Sequence, residues 1–144
     1  MGRNKKQKRG KGSAGLNRKE SLDFFVKNRS KPGVIETGSG LQYLIIDEGA
    51  GESPALEHEI AVNQRIMLLD GTVIKDTYKT GELDRFPLRE GIEGLREGIS
   101  LMKLGARYKF FVPPDLGWGK RGAGDKIGPY ATLIFDIRLE SFEY

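Results

Sequence analysis

His58 is the only histidine in the chain, and there is no cysteine. Zinc chemistry, thiolate chemistry and a disulfide framework therefore lack ligands. A serine nucleophile would have to borrow its proton acceptor from His58, which stands between Glu57 and Glu59. That setting reads as a solvated turn, and nothing beside it completes a triad. The acid pairs Glu57/Glu59 and Glu93/Glu97 read as solvated faces of a strand and a helix, not as paired carboxylates flanking a glycosidic bond. Gly119 and Gly124 have the spacing of a phosphate-cradling loop, but Asp125 stands where that loop needs a lysine. Gly128 and Pro129 follow where it needs a helix. An aspartate repels the phosphate that the lysine would hold, so nucleotide binding is not expected. Two residues stand out for a different chemistry. Gln64 interrupts an apolar period-two face, and Trp118, the only tryptophan, lies in a glycine-flanked loop. A buried amide and a loop indole suit binding more than covalent catalysis.

The elements that must position these residues are mostly strands. With 144 residues, the chain has the length of one domain plus an appendage. Leu41–Ile46 reads as a strand, as does Glu59–Leu69, with Ile60, Val62, Ile66 and Leu68 on one face. Asp70 and Gly71 form the strongest hairpin signal, and Thr72–Ile74 starts the returning strand. Glu90–Met102 is helical, with Leu95, Ile99 and Met102 in one stripe and Gly105 as its stop. Ala106–Val112 and Thr132–Leu139 are the last strands, the latter with Leu133, Phe135, Ile137 and Leu139 facing inward. Ahead of them, Asn17 is placed to cap a helix, with Glu20 as reciprocal partner. That helix carries Leu22, Phe25 and Val26 and ends at Lys31-Pro32-Gly33. It is short enough to need a docking surface or a partner. Strands joined by hairpins without repeated helical crossovers give an α+β class: a bent antiparallel sheet wrapped around one short α-helix. The expected divisions are a disordered basic tail over 1–16, a short helix and linker over 17–37, and the main domain over 38–144.

Charge is unevenly spread. Of 24 lysines and arginines, eight fall in the first 19 residues, which hold no acid; the remainder carries 16 basic against 20 acidic residues. Lys5, Lys6, Lys8, Arg9 and Lys11 are the candidates for contact with nucleic acid, ribosomal RNA included, or with an acidic partner through phosphate neutralisation. The tail has no aromatic for stacking on bases, so sequence-specific reading is not expected. No apolar run approaches the ~20 residues that span a bilayer. The polar N-terminus has no secretory pattern. The expectations are a cytoplasmic location, no membrane contact, no cofactor, no metal, and a monomer.

Several short motifs stand in a recognisable order: Ser39–Tyr43, Leu69–Val73, Phe86–Leu88, Glu93–Gly98, Leu101–Gly105, Pro113–Asp115, Gly119–Gly124 and Ala131–Phe135. From about Gly38 onward the chain resembles FKBP-type peptidyl-prolyl cis-trans isomerases. Phe24–Gly33 is similar to the helix end that joins the bacterial FkpA- and Mip-type members to their dimerisation arm. The resemblance implies rotation about X–Pro bonds in proline-containing or unfolded polypeptides, with no covalent intermediate. It places a substrate pocket at Gln64, Ile74, Lys75, Gly91, Ile92, Leu95, Trp118, Ile127 and Phe135, under a flap formed by Gly117–Pro129. Four positions depart from the family pattern. Gln64 falls at a tyrosine, Ile74 at a phenylalanine, Lys75 at an aspartate, and Leu95 at the floor tryptophan. Trp118 replaces a tyrosine, and Phe135 is retained. Gly91 lacks a side chain common in relatives, and Gly128 lacks the proline expected before Pro129. The resemblance thus implies an isomerase of altered or reduced activity. The alternative is a non-catalytic peptide-binding or chaperone module, tethered to RNA or the ribosome by its tail.

Overall fold

The computed structural model describes residues 13–144, so Lys5, Lys6, Lys8, Arg9 and Lys11 lie outside the described residues. In chain order the elements are α1 (Ala14–Asn28), β1 (Ile35–Glu36), β2 (Gln42–Asp47), β3 (Glu59–Leu68), β4 (Val73–Asp76), α2 (Thr77–Thr80), β5 (Asp84–Pro87), α3 (Glu93–Ile99), β6 (Arg107–Val112) and β7 (Leu133–Glu143). All strand pairs are antiparallel, in the order β1-β2-β6-β7-β3-β4. The second edge of β3 is shared. β5 pairs with it from Glu59 to Val62, and β4 takes over from Arg65 to Met67. Gln64 therefore sits at the gap between the two partner strands, which decides the chemistry of the site.

The inward residues predicted by period two are buried: Ile60, Val62, Ile66 and Leu68 on β3, and Leu133, Phe135, Ile137 and Leu139 on β7. α3 lays Leu95 and Ile99 on them, and Met102 follows just past its end. Glycine makes that approach possible. A Cβ at Gly94 would stand 2.7 Å from Val112 Cγ1, and one at Gly98 would run into the Phe110 ring. α3 is shorter than the expected Glu90–Met102, because Leu88–Glu90 forms a separate 3-10 turn and Ile92 takes the N-cap position. β7 runs four residues beyond the expected Leu139.

α1 has the docking surface that its length requires. Phe25 is buried, and Phe24 packs edge-on to it and tilts against Phe111 of β6. The buried Asn28 donates from Nδ2 to Gln42 Oε1 at 2.9 Å, and Gln42 Nε2 donates back to the Phe25 carbonyl at 3.0 Å. Buried amides that satisfy one another avoid the desolvation cost of an unpaired polar group. Arg29 closes the junction with two bonds to Glu36.

Two expectations are corrected. The helix starts at Ala14, within the stretch expected to be tail, and its N-cap is Ser13, whose hydroxyl accepts from Leu16 N. Asn17 is thus inside the first turn, and its side chain is spent elsewhere. His58 is not solvated but buried. Its Nδ1 accepts from Ala55 N at 2.7 Å, and its ring lies 5.0 Å from Phe142 and 4.3 Å from Tyr144. The unforeseen extension of β7 supplies that cover.

Candidate functional site

The concave side of the sheet gathers most of the expected pocket residues. Leu95, Ile127 and Phe135 are buried in the same cluster, and Ile74, Phe86 and Ile92 pack against it half-buried. Phe135 pairs with Ile66 on one side and Phe110 on the other, which fixes its ring in the sheet's interior face. Gly91 lies where a Cβ would meet Leu95 Cβ and the Phe86 ring at 3.6 Å, and the Leu88 carbonyl oxygen at 3.3 Å. A Cβ there would make ordinary contact with Phe86 and Leu95 and press only on the Leu88 carbonyl. Ile92 precedes α3 in extended conformation, and its carbonyl accepts from Leu95 N and Arg96 N.

Gln64 and Lys75 meet through a residue that the sequence reading did not select. Asp84 ends the β5 pairing opposite Val62, and alternation puts it on the same side as Phe86. Its Oδ2 accepts from Gln64 Nε2 at 2.7 Å, and its Oδ1 accepts from Lys75 Nζ at 2.7 Å. The carboxylate, 19% exposed, thus bridges a buried amide and a half-exposed ammonium. An ionised carboxylate only accepts, so the amide nitrogen of Gln64 must face it. Gln64 Oε1 is then turned away, and it is buried without a partner. The backbone of Gln64 is fixed as well: its N–H donates to Thr77 Oγ1 at 2.8 Å. Asp84 could have been found by counting back two from Phe86 in the motif at 86–88. What hid it was β5, a four-residue strand with two charged members.

The flap is held at several points. Pro114–Leu116 and Gly119–Arg121 form 3-10 turns, with Trp118 between them and 37% exposed. Ala123 and Ile127 exchange two backbone hydrogen bonds, which closes a small loop and seats Ile127 inward. Gly122 lies within a Cβ's reach of the Ile127 and Gly128 carbonyls at positive φ, so only glycine fits there. No helix follows Gly124, so the loop lacks the helix that a phosphate cradle needs. At the flap's far end Tyr130 has φ 58°, a left-handed conformation unusual for a bulky side chain. A groove of about 560 Å³ runs between α1 and the flap base, lined among others by Arg18, Leu22, Phe25, Pro113, Lys120 and Tyr130.

The outer face of the sheet carries its own polar network. Arg107 binds Asp136 through Nε and Nη2, both at 2.9 Å, and Tyr78 donates its hydroxyl to Asp136. Burial, and then the Asp136 charge, push the Tyr78 phenol up to about 12. Glu57, Glu59 and Glu93 are exposed, and Glu97 accepts from Ser39 Oγ. Among the described residues no group of histidines, cysteines and carboxylates could hold a metal, and no helix is long and apolar enough to cross a membrane. The inner face of the sheet presents apolar side chains and one polar edge, with no nucleophile paired to a base among the described residues. It can exclude water from a bound segment and hold it by hydrogen bonds.

Comparison with known proteins gives the family and the fold. Residues 51–140 match the model of the FKBP-type peptidyl-prolyl cis-trans isomerase family, and residues 2–45 match that of the domain amino terminal to it. The chain is 42% identical over 125 residues to the peptidyl-prolyl cis-trans isomerase Mip of Coxiella burnetii, covering 87% of this chain and 54% of that protein. It is 40% identical over 129 residues to a probable FkpA of Neisseria meningitidis, covering 90% and 47%. The chain thus spans about half the length of these curated relatives. Among solved structures, FkpA from Escherichia coli superposes with a TM-score of 0.86 at 32% identity, covering 90% of this chain and 61% of that one. A peptidyl-prolyl cis-trans isomerase from Pseudomonas syringae superposes with a TM-score of 0.84 at 26% identity, covering 92% and 98%.

Proposed function

The chain belongs to the FKBP-type peptidyl-prolyl cis-trans isomerase family, and from that premise we propose that its concave pocket rotates X–Pro bonds in polypeptides with a narrower substrate range than an all-apolar pocket would have. The observation that carries this is the meeting of two surfaces. Leu95, Ile127, Phe135, Phe86 and Ile74 form an apolar seat, and the Gln64–Asp84–Lys75 chain forms its polar edge.

The planar amide is stabilised by charge separation that water solvates, and the uncatalysed barrier is ~18–20 kcal/mol. An apolar seat strips that water and gives the twisted amide an environment no poorer than the planar one. The proline ring fits the aliphatic and aromatic wall. Leu95 supplies volume but no indole plane, so ring stacking at the floor is weaker. Trp118, which the family resemblance puts in the loop over the seat, supplies an indole N–H. That group donates but does not accept, so it suits a substrate carbonyl beside the turning bond, anchoring the chain while the amide twists. No proton is transferred and no covalent bond forms.

The polar edge restricts what enters. A substrate side chain reaching Lys75 or Asp84 must compete with their ion pair, and an apolar one must leave it solvated. Activity lower than that of relatives with an aromatic floor follows from the same substitutions. The alternative, a peptide-binding or chaperone module, predicts that proline-containing peptides perturb Trp118 emission without faster isomerisation. A protease-free refolding assay limited by proline isomerisation decides between them. Acceleration at substoichiometric chain supports the isomerase, and binding without acceleration at equimolar chain supports the module.

A further inference from the structure

α1 does more than dock on the sheet: it touches the flap. Asn17 Nδ2 donates to the Pro129 carbonyl at 2.9 Å, 112 residues away in sequence. One residue on, the Arg18 guanidinium lies over the Tyr130 ring, 4.5 Å from its centroid. Tyr130 N donates to the Gly119 carbonyl at 2.8 Å, which ties the flap's end to the turn that follows Trp118. Two of these contacts fall on the strained Tyr130, at φ 58°, and the third on the carbonyl of the residue before it. A tyrosine in the left-handed region raises the energy of this conformation, so something must hold it there. The glycine at 128 leaves the preceding backbone free to relax. The groove of about 560 Å³ beside these contacts leaves space into which the flap base can move.

We propose that Asn17 and Arg18 are positioning residues that latch the flap, holding Trp118 and Ile127 over the pocket in the arrangement that receives substrate. The proposal rests on the reading of the site given above. Its logic is an equilibrium between a latched flap and one relaxed at Tyr130. Strain at Tyr130 favours release, and the two α1 contacts favour the latch. If only the latched flap receives substrate, apparent affinity scales with the latched fraction. A segment that binds α1 thereby acts on the pocket without touching it.

Asn17→Asp is the sharpest test. The carboxylate cannot donate to the Pro129 carbonyl and repels it, yet a negative charge in the first helical turn favours the helix. The expected result is an unchanged or raised urea midpoint. Amide exchange at Ala123 and Ile127 accelerates about fivefold, as loss of one hydrogen bond allows. Trp118, the only tryptophan, shifts its emission toward that of exposed indole. KM for a proline peptide rises by up to about fivefold while kcat at saturation holds. Arg18→Ala should act in the same direction, and Arg18→Lys, which keeps a cation over the ring, should restore most of the effect. Unchanged exchange and emission in Asn17→Asp would overturn the latch. So would faster exchange throughout the domain together with a lowered urea midpoint, since that marks a merely structural role. Wild-type chain without isomerase activity would overturn the reading of the site, while the exchange and emission measurements still decide the latch.

Discussion

Replacing Asp84 by alanine should destabilise the domain more than its position on a short edge strand suggests. The carboxylate satisfies Gln64 Nε2, and Gln64 is 95% buried by its 5% relative exposure. Its removal leaves that amide with neither polar atom paired, because Oε1 already lacks a partner. A stranded buried donor costs about 1–3 kcal/mol. The Lys75 arm adds less than about 1 kcal/mol, since the ammonium is half exposed and screened. The sum is about 1–4 kcal/mol. Gln64→Leu is expected to be nearly neutral, because it removes an unsatisfied oxygen along with a satisfied nitrogen and leaves Asp84 with Lys75. The double variant should then be more stable than Asp84→Ala alone by about 1 kcal/mol or more, the sign of direct coupling. Urea denaturation of the four proteins measures this. A cost below about 0.5 kcal/mol for Asp84→Ala, or additive effects in the double variant, would refute the assignment of Asp84 as the partner that makes a buried glutamine tolerable.

Other outcomes follow from the same structure. Gly98→Ala gains up to about 1 kcal/mol of helix propensity but drives a methyl into the Phe110 ring. With overpacking costing about 1–3 kcal/mol, thermal unfolding should show net destabilisation. Trp118→Ala should lower kcat/KM about tenfold, and Trp118→Phe nearly as much, because both lose the N–H. Full activity in the phenylalanine variant of a peptide assay would exclude the donor role. Tyr78 titrates near 12 in the folded chain, above the ordinary 10. The unfolded chain therefore releases that proton first as pH rises. The stabilising contribution is complete below pH 10 and is lost between about 10 and 12, which urea midpoints across that range measure, with Tyr78→Phe removing this part of the decline.

The readable part of this fold was whatever has a period. β3 and β7 alternate apolar and polar residues, and α3 repeats Leu95, Ile99 and Met102, so strands, helix and inward faces were legible. β5 was not, because four residues with Asp84 and Arg85 among them carry no alternation above background. With it went Asp84, the residue that explains Gln64 and Lys75 together. The Asn28–Gln42 pair was hidden for a related reason: amides read as surface until the partner that satisfies them is known. His58 was misread because its cover comes from Phe142 and Tyr144, beyond the expected end of the last strand. The capping box at Asn17 and Glu20 had the right spacing, but Ser13 starts the helix one turn earlier, and Asn17 reaches the flap instead. Local pattern locates elements, whereas these side chains are paired across separations of 9 to 112 residues.

Everything proposed for the pocket requires that an apolar seat with a polar edge still turns X–Pro bonds. Exchange-based NMR on a panel of short peptides, differing only in the residue before proline, tests it most directly, because it reads cis–trans interconversion without a coupled protease. Interconversion is expected to accelerate at catalytic concentrations of the chain, unevenly across the panel, and to slow sharply in Trp118→Ala. Interconversion at the uncatalysed rate for every peptide, at equimolar chain, would contradict it.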